Sequence, residues 1–265
     1  MARKMLFDLI ESASKEEKDV ADDFVLDLTY AIQKFDKMNE RPASPTISPS
    51  QMKCERAMVY KLTSVPMDKQ ENSYQLINIC QSGTDRHQDL QNTIYHMKEL
   101  GLDIEYVNVK DYIKKNKLPL EIKKPSNFSK GEYETKLYSE QYRASFLCDG
   151  IIKYKGKYYI LEIKTESTRK FQSQEDVMDA HKNQATAYSL LLGIDDVMFL
   201  YENRDVCTKK AYIYTPSADD KRRLTEVIER CIRYADEGKI PMKPYTANKT
   251  MCEYCNYKEK CAADG

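Results

Sequence analysis

Three side chains in the middle of the chain are placed to do metal-assisted chemistry. Asp149 and Glu162 flank the short segment Lys155-Gly156, and Lys164 follows Glu162 by two. A two-residue connection with Gly at one corner is a usual hairpin turn. Tyr154 then faces Lys157, and the same register carries Asp149 to a position opposite Glu162. Opposed side chains share one face, with Cβ atoms roughly 5 Å apart. Lys164 points to that face too, because side-chain direction alternates along a strand. Two carboxylates this close repel each other unless a counter-charge intervenes, and a hard divalent cation held through oxygen would supply it. Neighbours rich in Ile, Leu and Tyr mark the face as partly buried, where charged groups need a reason. Glu-x-Lys alone means little: it recurs at Glu16, Glu121 and Glu134, read as solvated faces.

A second set is made of thiols. Cys252, Cys255 and Cys261 lie within ten residues, and Cys54 stands far upstream. The start of the chain, Met1-Ala2-Arg3-Lys4, lacks the apolar stretch and cleavage site of a secretory signal, so a reducing, cytoplasmic setting is expected. If the source is viral, that means the host cytoplasm. There a compact cysteine cluster points to metal rather than to disulfides. The other four cysteines, Cys80, Cys148, Cys207 and Cys231, read as small buried hydrophobes. No apolar run approaches the ~18 residues of a membrane span. Across 265 residues, 41% are hydrophobic and 32% charged, with 42 basic and 42 acidic side chains. That is a globular composition without global basic charge, so any nucleic-acid partner needs a local basic channel.

Stepping along the chain, residues 5–38 read as one or two amphipathic helices, with Phe24, Leu26, Ile32 and Phe35 among the apolar positions. Ser48-Pro49-Ser50-Gln51 reads as a capped helix start, with Cys54 on that helix. Ser82-Gly83-Thr84-Asp85 starts a helix that ends at Gly101, with His87 in its first turn. Residues 102–132 are Lys-rich and read as an irregular linker or insertion. Lys114, Lys115, Lys117, Lys123 and Lys124 there line a DNA channel or simply a solvated loop. Strands are expected over 143–153, 157–165, 196–202 and 210–215, and helices over 173–192 and 217–238.

The order Asp149-Gly150, then Glu162-Ile163-Lys164-Thr165, then Gln184-Ala185-Thr186-Ala187-Tyr188 on the following helix, resembles PD-(D/E)XK nucleases of the RecB-type branch. Gln184 and Tyr188, four apart, share a helix face. The cysteine set resembles the iron–sulfur members of that branch, including the CRISPR-associated RecB-like exonucleases and the nuclease domain of AddB, in which one cysteine precedes the core and three follow it. The resemblance covers roughly residues 45–261. It implies an α/β fold with a restriction-endonuclease-like core, a mixed sheet flanked by helices, and N- and C-terminal segments joined at the four-cysteine centre. Three regions follow: residues 1–47, helical; 48–250, the nuclease core with the insertion near 102–132; and 251–265, packing with Cys54. The resemblance also implies Mg²⁺ or Mn²⁺ held by His87, Asp149, Glu162 and the Ile163 carbonyl. Lys164 would assist the reaction, Gln184 and Tyr188 would position DNA or the lysine, and Glu140 is a weaker carboxylate candidate. Cys54, Cys252, Cys255 and Cys261 would bind a 4Fe-4S cluster, with zinc as the alternative. His96 and His181 compete with His87, and His181 could instead line the DNA path. Absence of a Gly-x-x-x-x-Gly-Lys-Ser/Thr loop means the chain itself is no helicase. The expected activity is a DNA exonuclease of recombination, repair or replication, working on ends or single strands, with a helicase or recombination protein as a possible partner. A specific endonuclease or a catalytically silent DNA-binding subunit are the alternatives.

Overall fold

A computed structural model describes residues 2–39, 44–68, 72–243 and 249–265, without side chains for 2–19, 249 and 250. Two compact units are present, one of residues 1–42 with 69–82 and the other of 43–68 with 83–265. In the first lies α1 (Ala2–Met38). Phe24, Leu26, Tyr30 and Phe35 on it are exposed, and Ile32 is half-buried. The second unit carries every candidate site residue. Its helices are α2 (Glu55–Leu62), the C-terminal part of α3 (Tyr74–His96), α4 (Val109–Asn116), α5 (Thr168–Ser173), α6 (Asp179–Leu192), α7 (Ala218–Asp236), α8 (Lys249–Glu253) and α9 (Lys258–Ala263). Its strands are β1 (Ile104–Val107), β2 (Glu121–Lys124), β3 (Thr135–Ser139), β4 (Ala144–Cys148), β5 (Gly150–Tyr154), β6 (Lys157–Glu166), β7 (Val197–Asn203) and β8 (Lys209–Tyr214).

The strands form a five-stranded sheet in the order β1-β5-β6-β7-β8 and a three-stranded sheet β2-β3-β4. Among the described strands β6 and β7 run parallel, joined through α5 and α6, and the other strand pairs are antiparallel. The β5–β6 hairpin has the expected register, Tyr154 opposite Lys157 and Gly150 opposite Leu161. Its turn residues Lys155 and Gly156 both take positive φ, 50° and 80°, as a type I′ turn requires. Central strand β6 is apolar toward both faces. Ile160 belongs to a core with α6 residues Ala185, Tyr188, Leu191 and Leu192, while Leu161 and Ile163 pack with Leu90 of α3, Ile104 and Tyr106.

Four expectations are corrected. The run 143–153 is two strands rather than one: β4 belongs to the small sheet, β5 to the large one, and Asp149 stands between them. Gly150 is required there, since a Cβ would collide with the ring and hydroxyl of Tyr106. The segment 102–132 is ordered rather than irregular, because Ile104, Tyr106, Val109 and Ile113 bury themselves in the core and β1 closes the sheet edge. Helix α3 starts at Tyr74 rather than near Ser82, so His87 sits in mid-helix, although Gly101 does end the following turn with φ 76°. Gly83 is internal to that helix, and its absent side chain lets α3 approach β6: a Cβ there would lie 3.3 Å from Thr165 Oγ1. Finally, Ser48 opens only the single 3₁₀ turn Pro49–Gln51, and Cys54 is the extended N-cap residue of α2.

Candidate active site

Asp149 lies where two hairpin registers meet. One step beyond Gly150 opposite Leu161, the β5–β6 ladder points to Glu162; one step beyond Thr135 opposite Cys148, the β3–β4 ladder points to Glu134. One carboxylate therefore faces a second on the large sheet and a third on the small one. Its backbone is fixed from behind, the carbonyl accepting from Gln91 Nε2 at 2.8 Å and from the Tyr106 hydroxyl. Its side-chain Oδ2 accepts from the Ile163 amide at 2.8 Å. His87 comes in from α3, with Nδ1 3.9 Å from Asp149 Oδ2. Donor atoms of His87, Glu134 and Asp149 all lie within 4.8 Å of one another. The register of α3 that delivers His87 is set by its neighbour: Arg86 forms a two-pronged pair with buried Glu202 at 2.7 and 3.0 Å.

Glu162 and Lys164 face α6. Glu162 Oε1 accepts from Lys164 Nζ at 2.5 Å and from Gln184 Nε2 at 2.7 Å. The other Glu162 oxygen, Oε2, is buried with no hydrogen-bond partner. A buried carboxylate oxygen without a donor is costly, so this atom fits a cation ligand. Gln184 also accepts from Lys164 at 3.3 Å and donates to Tyr188 at 3.1 Å. Tyr188 is buried and donates to the Leu147 carbonyl at 3.1 Å. Gln184 and Tyr188 thus hold Glu162 and Lys164 in place from the helix; Tyr188 has no face open to DNA. The Ile163 amide is spent on Asp149, and its side chain is core.

The electrostatics follow from this burial. Desolvation raises Asp149 to about 6, against the opposing pull of the Ile163 amide and Lys164. Desolvation, with the Asp149 charge adding to it, raises Glu162 to about 7 despite Lys164. Glu134 is raised by burial and by Glu162, with His87 opposing. Burial and Lys164 lower His87, which keeps the imidazole neutral and able to ligate. His181 is pushed down to about 4 by burial, Lys164 and Lys53; its ring bonds the Tyr201 hydroxyl at 2.9 Å rather than joining the cluster. His96 pairs with Glu99 at 2.8 Å on the surface.

Sequence reasoning misread Glu134 as solvated; it is half-buried beside His87. Continuing the β3–β4 register would have found it, had 143–153 been split at Asp149. Gln91 and Tyr106 were missed as well. Glu140 is exposed on the β3–β4 turn, with Tyr138 as its partner. Of the five expected channel lysines, Lys124 lines a cavity of about 300 Å³ with Gln88, Gln91 and Glu134. Lys123 pairs with Glu121 at 2.7 Å.

The structure brings Cys54 into the electrostatic neighbourhood of Cys252, Cys255 and Cys261: burial raises the Cys255 thiol, and the other three add to the rise. Cys255 Sγ accepts from the Tyr257 amide at 3.4 Å. The C-terminal segment is tied to α2 and the loop after it. Arg56 Nη1 donates to the Gly265 carbonyl at 2.9 Å, the Tyr60 hydroxyl to Asp264 at 2.7 Å, and the Glu259 amide to Asp68 at 2.7 Å. Of the remaining cysteines, Cys148 and Cys231 are buried, but Cys80 and Cys207 are exposed, against expectation.

Comparison with known proteins places this geometry in context. Residues 148–262 match the sequence model described as the PD-(D/E)XK nuclease superfamily. The match supports a nuclease domain of that superfamily over a stretch containing Asp149, Glu162, Lys164, Gln184, Tyr188 and three of the four cysteines, while His87, Glu134 and Cys54 lie outside it. A search of curated proteins finds no match. Among solved structures, the crystal structure of SSO0001 is similar at 14% identity over 90% of this chain and 96% of that one, with a TM-score of 0.47. Among the described residues, no helix is long and apolar enough to cross a membrane.

The raised carboxylates have a measurable consequence. An acid whose folded pKa lies above its unfolded value leaves the fold unpenalised below the unfolded value, near pH 4, and costs stability as pH rises through the folded value. Without divalent metal, the wild type should therefore lose ground to Glu162→Gln between about pH 5 and about pH 8, on the order of 1–3 kcal/mol in urea unfolding. Mn²⁺ should restore the wild type at about pH 8 and leave the variant unmoved. A constant difference between the two proteins at both pH values would show that the fold does not raise the pKa of Glu162.

Proposed function

We propose that the chain is a Mg²⁺- or Mn²⁺-dependent deoxyribonuclease, an exonuclease that hydrolyses phosphodiester bonds at DNA ends or in single strands during recombination, repair or replication. The observation that carries this reading is the convergence of His87, Glu134 and Asp149 on one another, with Glu162, paired to Lys164, near enough to feel the charges of Asp149 and His87. Among the described residues, no other group of His, Cys, Asp and Glu donors gathers so closely. His87, Asp149, Glu162 and the Ile163 carbonyl are the proposed ligands, with Glu134 added by the geometry. The cation, when bound, would polarise the scissile phosphate and lower the pKa of a water. Protein groups do the rest. Glu162, in its ionised form, would be one of the carboxylates that hold the cation, and Lys164, positioned by Glu162 and Gln184, would face the negative charge that develops on the phosphate oxygens. Tyr188 and Gln184 are positioning residues. An intact acidic set with its lysine disfavours a silent DNA-binding subunit, which has no use for buried, mutually repelling carboxylates. A specific endonuclease is separated by the choice of substrate.

The four cysteines are proposed to hold a 4Fe-4S cluster, with zinc as the alternative. They fit such a group, since half-buried Cys255 feels the charges of Cys54, Cys252 and Cys261, and thiolates gathered in this way favour a cationic centre. The cluster would tie Cys54 to the tail across about 200 residues, a structural role.

Linear and circular, single- and double-stranded DNA incubated with Mn²⁺ tests the activity. Glu162→Gln, Asp149→Asn and Lys164→Ala should each lower cleavage at least about 100-fold, and Lys164→Ala should still bind DNA. Glu134→Gln should fall with them; near-normal turnover of Glu162→Gln on every substrate would remove the assignment. Exonuclease action requires linear DNA to be degraded while closed circles survive.

Protein purified without oxygen should be brown, with broad absorption near roughly 400 nm and about four irons per chain. Cys54→Ala should lose the colour as fully as Cys255→Ala, and Cys207→Ala should keep it. Colourless protein with one zinc would leave the site and replace the cluster. Colour surviving in Cys54→Ala would mean another residue is the fourth ligand.

A further inference from the structure

A cavity of about 610 Å³ opens between α2, α6 and the C-terminal segment, with Cys54 and Cys255 in its wall, and lies outside the cation cluster. Lys53 and Lys61 line it, together with Asn183 of α6, Asn256, Tyr254 and Tyr257. No carboxylate is among its lining residues, although the chain carries 42 of them. A neighbouring cavity, by contrast, includes Glu55 and Asp220 beside Arg223. Tyr254 is 81% exposed, a large aromatic ring left in solvent at the rim. Tyr257 is 5% exposed, yet its buried hydroxyl has no hydrogen-bond partner. Lys53 has no ion pair among the described residues and lies close enough to Lys164 and His181 for their charges to be felt. Asn183 precedes Gln184, which holds Glu162. This wall therefore leads from the cavity to the candidate active site.

An exposed ring, amide side chains and two cations without a carboxylate are the parts of a single-strand nucleic-acid site. Bases stack on aromatic faces while lysines follow the phosphates. Resting on the nuclease reading above, we propose that this cavity is a subsite for single-stranded DNA, in which Tyr254 stacks on a base while Lys53 and Lys61 contact the flanking phosphates and lead the strand toward Lys164. Duplex DNA would not use it, because a paired base presents no free face to Tyr254.

The test measures binding of fluorescent oligothymidylate and of a blunt duplex by anisotropy, in EDTA so that no cleavage occurs. Tyr254→Ala should weaken oligothymidylate binding about 5–100-fold, Tyr254→Phe should restore it, and duplex binding should stay within about twofold. Lys61→Gln should flatten the salt dependence for the single strand by about one counterion. Metal content and thermal unfolding are measured alongside. If Tyr254→Ala loses its metal, Lys61→Gln, on α2 rather than between two of the cysteines, decides instead. Unchanged oligothymidylate affinity in Tyr254→Ala with metal retained, an unchanged salt slope in Lys61→Gln, equal loss on duplex and single strand, or a wild type that ignores single strands would each overturn the subsite. Wild-type cleavage of DNA alongside any of these would leave the nuclease reading standing; a wild type that binds through Tyr254 but cuts nothing would remove that reading and keep the subsite.

Discussion

Mutual repulsion among buried carboxylates at Asp149 is the constraint around which the second unit is arranged. The chain leaves one sheet and enters another at this residue, so Asp149 continues two ladders at once and meets Glu134 on one and Glu162 on the other. Burying charge without compensation is expensive, and such groups respond by holding protons. The raised pKa values of Asp149, Glu162 and Glu134 are that response. Lys164 offsets part of the negative charge, and the unpartnered Glu162 oxygen marks what it leaves uncompensated.

The surrounding structure serves to keep these groups together against their repulsion. Gln91 and Tyr106 grip the Asp149 carbonyl, and Gly150 makes room for the tyrosine ring. Helix α3 approaches β6 closely because Gly83 lacks a side chain, and the Arg86–Glu202 pair fixes its rotation so that His87 faces inward. On the opposite face of β6, Gln184 and Tyr188 hold the carboxylate–lysine pair. A rigid frame of this kind concentrates a cation site's affinity in a geometry the protein has already assembled.

Local rules made some of this readable before any coordinates. The turn Lys155-Gly156 dictates its own register, so Asp149 and Glu162 could be paired by counting. The four-residue spacing of Gln184 and Tyr188 defined a helix face by the same kind of arithmetic. What failed was non-local. Nothing in the run from Arg143 to Lys153 says that it changes sheets, because both halves have strand-like residues; only the tertiary switch exposes Glu134. The start of α3 was misplaced because Gly83 looks like a helix boundary, whereas its real cause is the approach of Thr165. The Lys-rich composition of 102–132 hid Ile104, Tyr106, Val109 and Ile113, which bury themselves at alternate or helical spacing. Cys54 is singled out by the resemblance of its segment to one that carries a lone upstream cysteine, but its place as the N-cap of α2 depends on a turn too short to predict.

Whether these buried acids enclose a divalent cation is read from a crystal structure of the protein grown with Mn²⁺ at about pH 8, with anomalous scattering collected at the manganese edge. A single strong anomalous peak is expected within roughly 2.0–2.4 Å of donor atoms from His87, Asp149 and Glu162, with Glu134 directed at it and the Glu162 Oε2 atom no longer without a partner. Ordered side chains at His87, Asp149 and Glu162 with no peak between them at saturating Mn²⁺, or a peak held only by other residues, would contradict it.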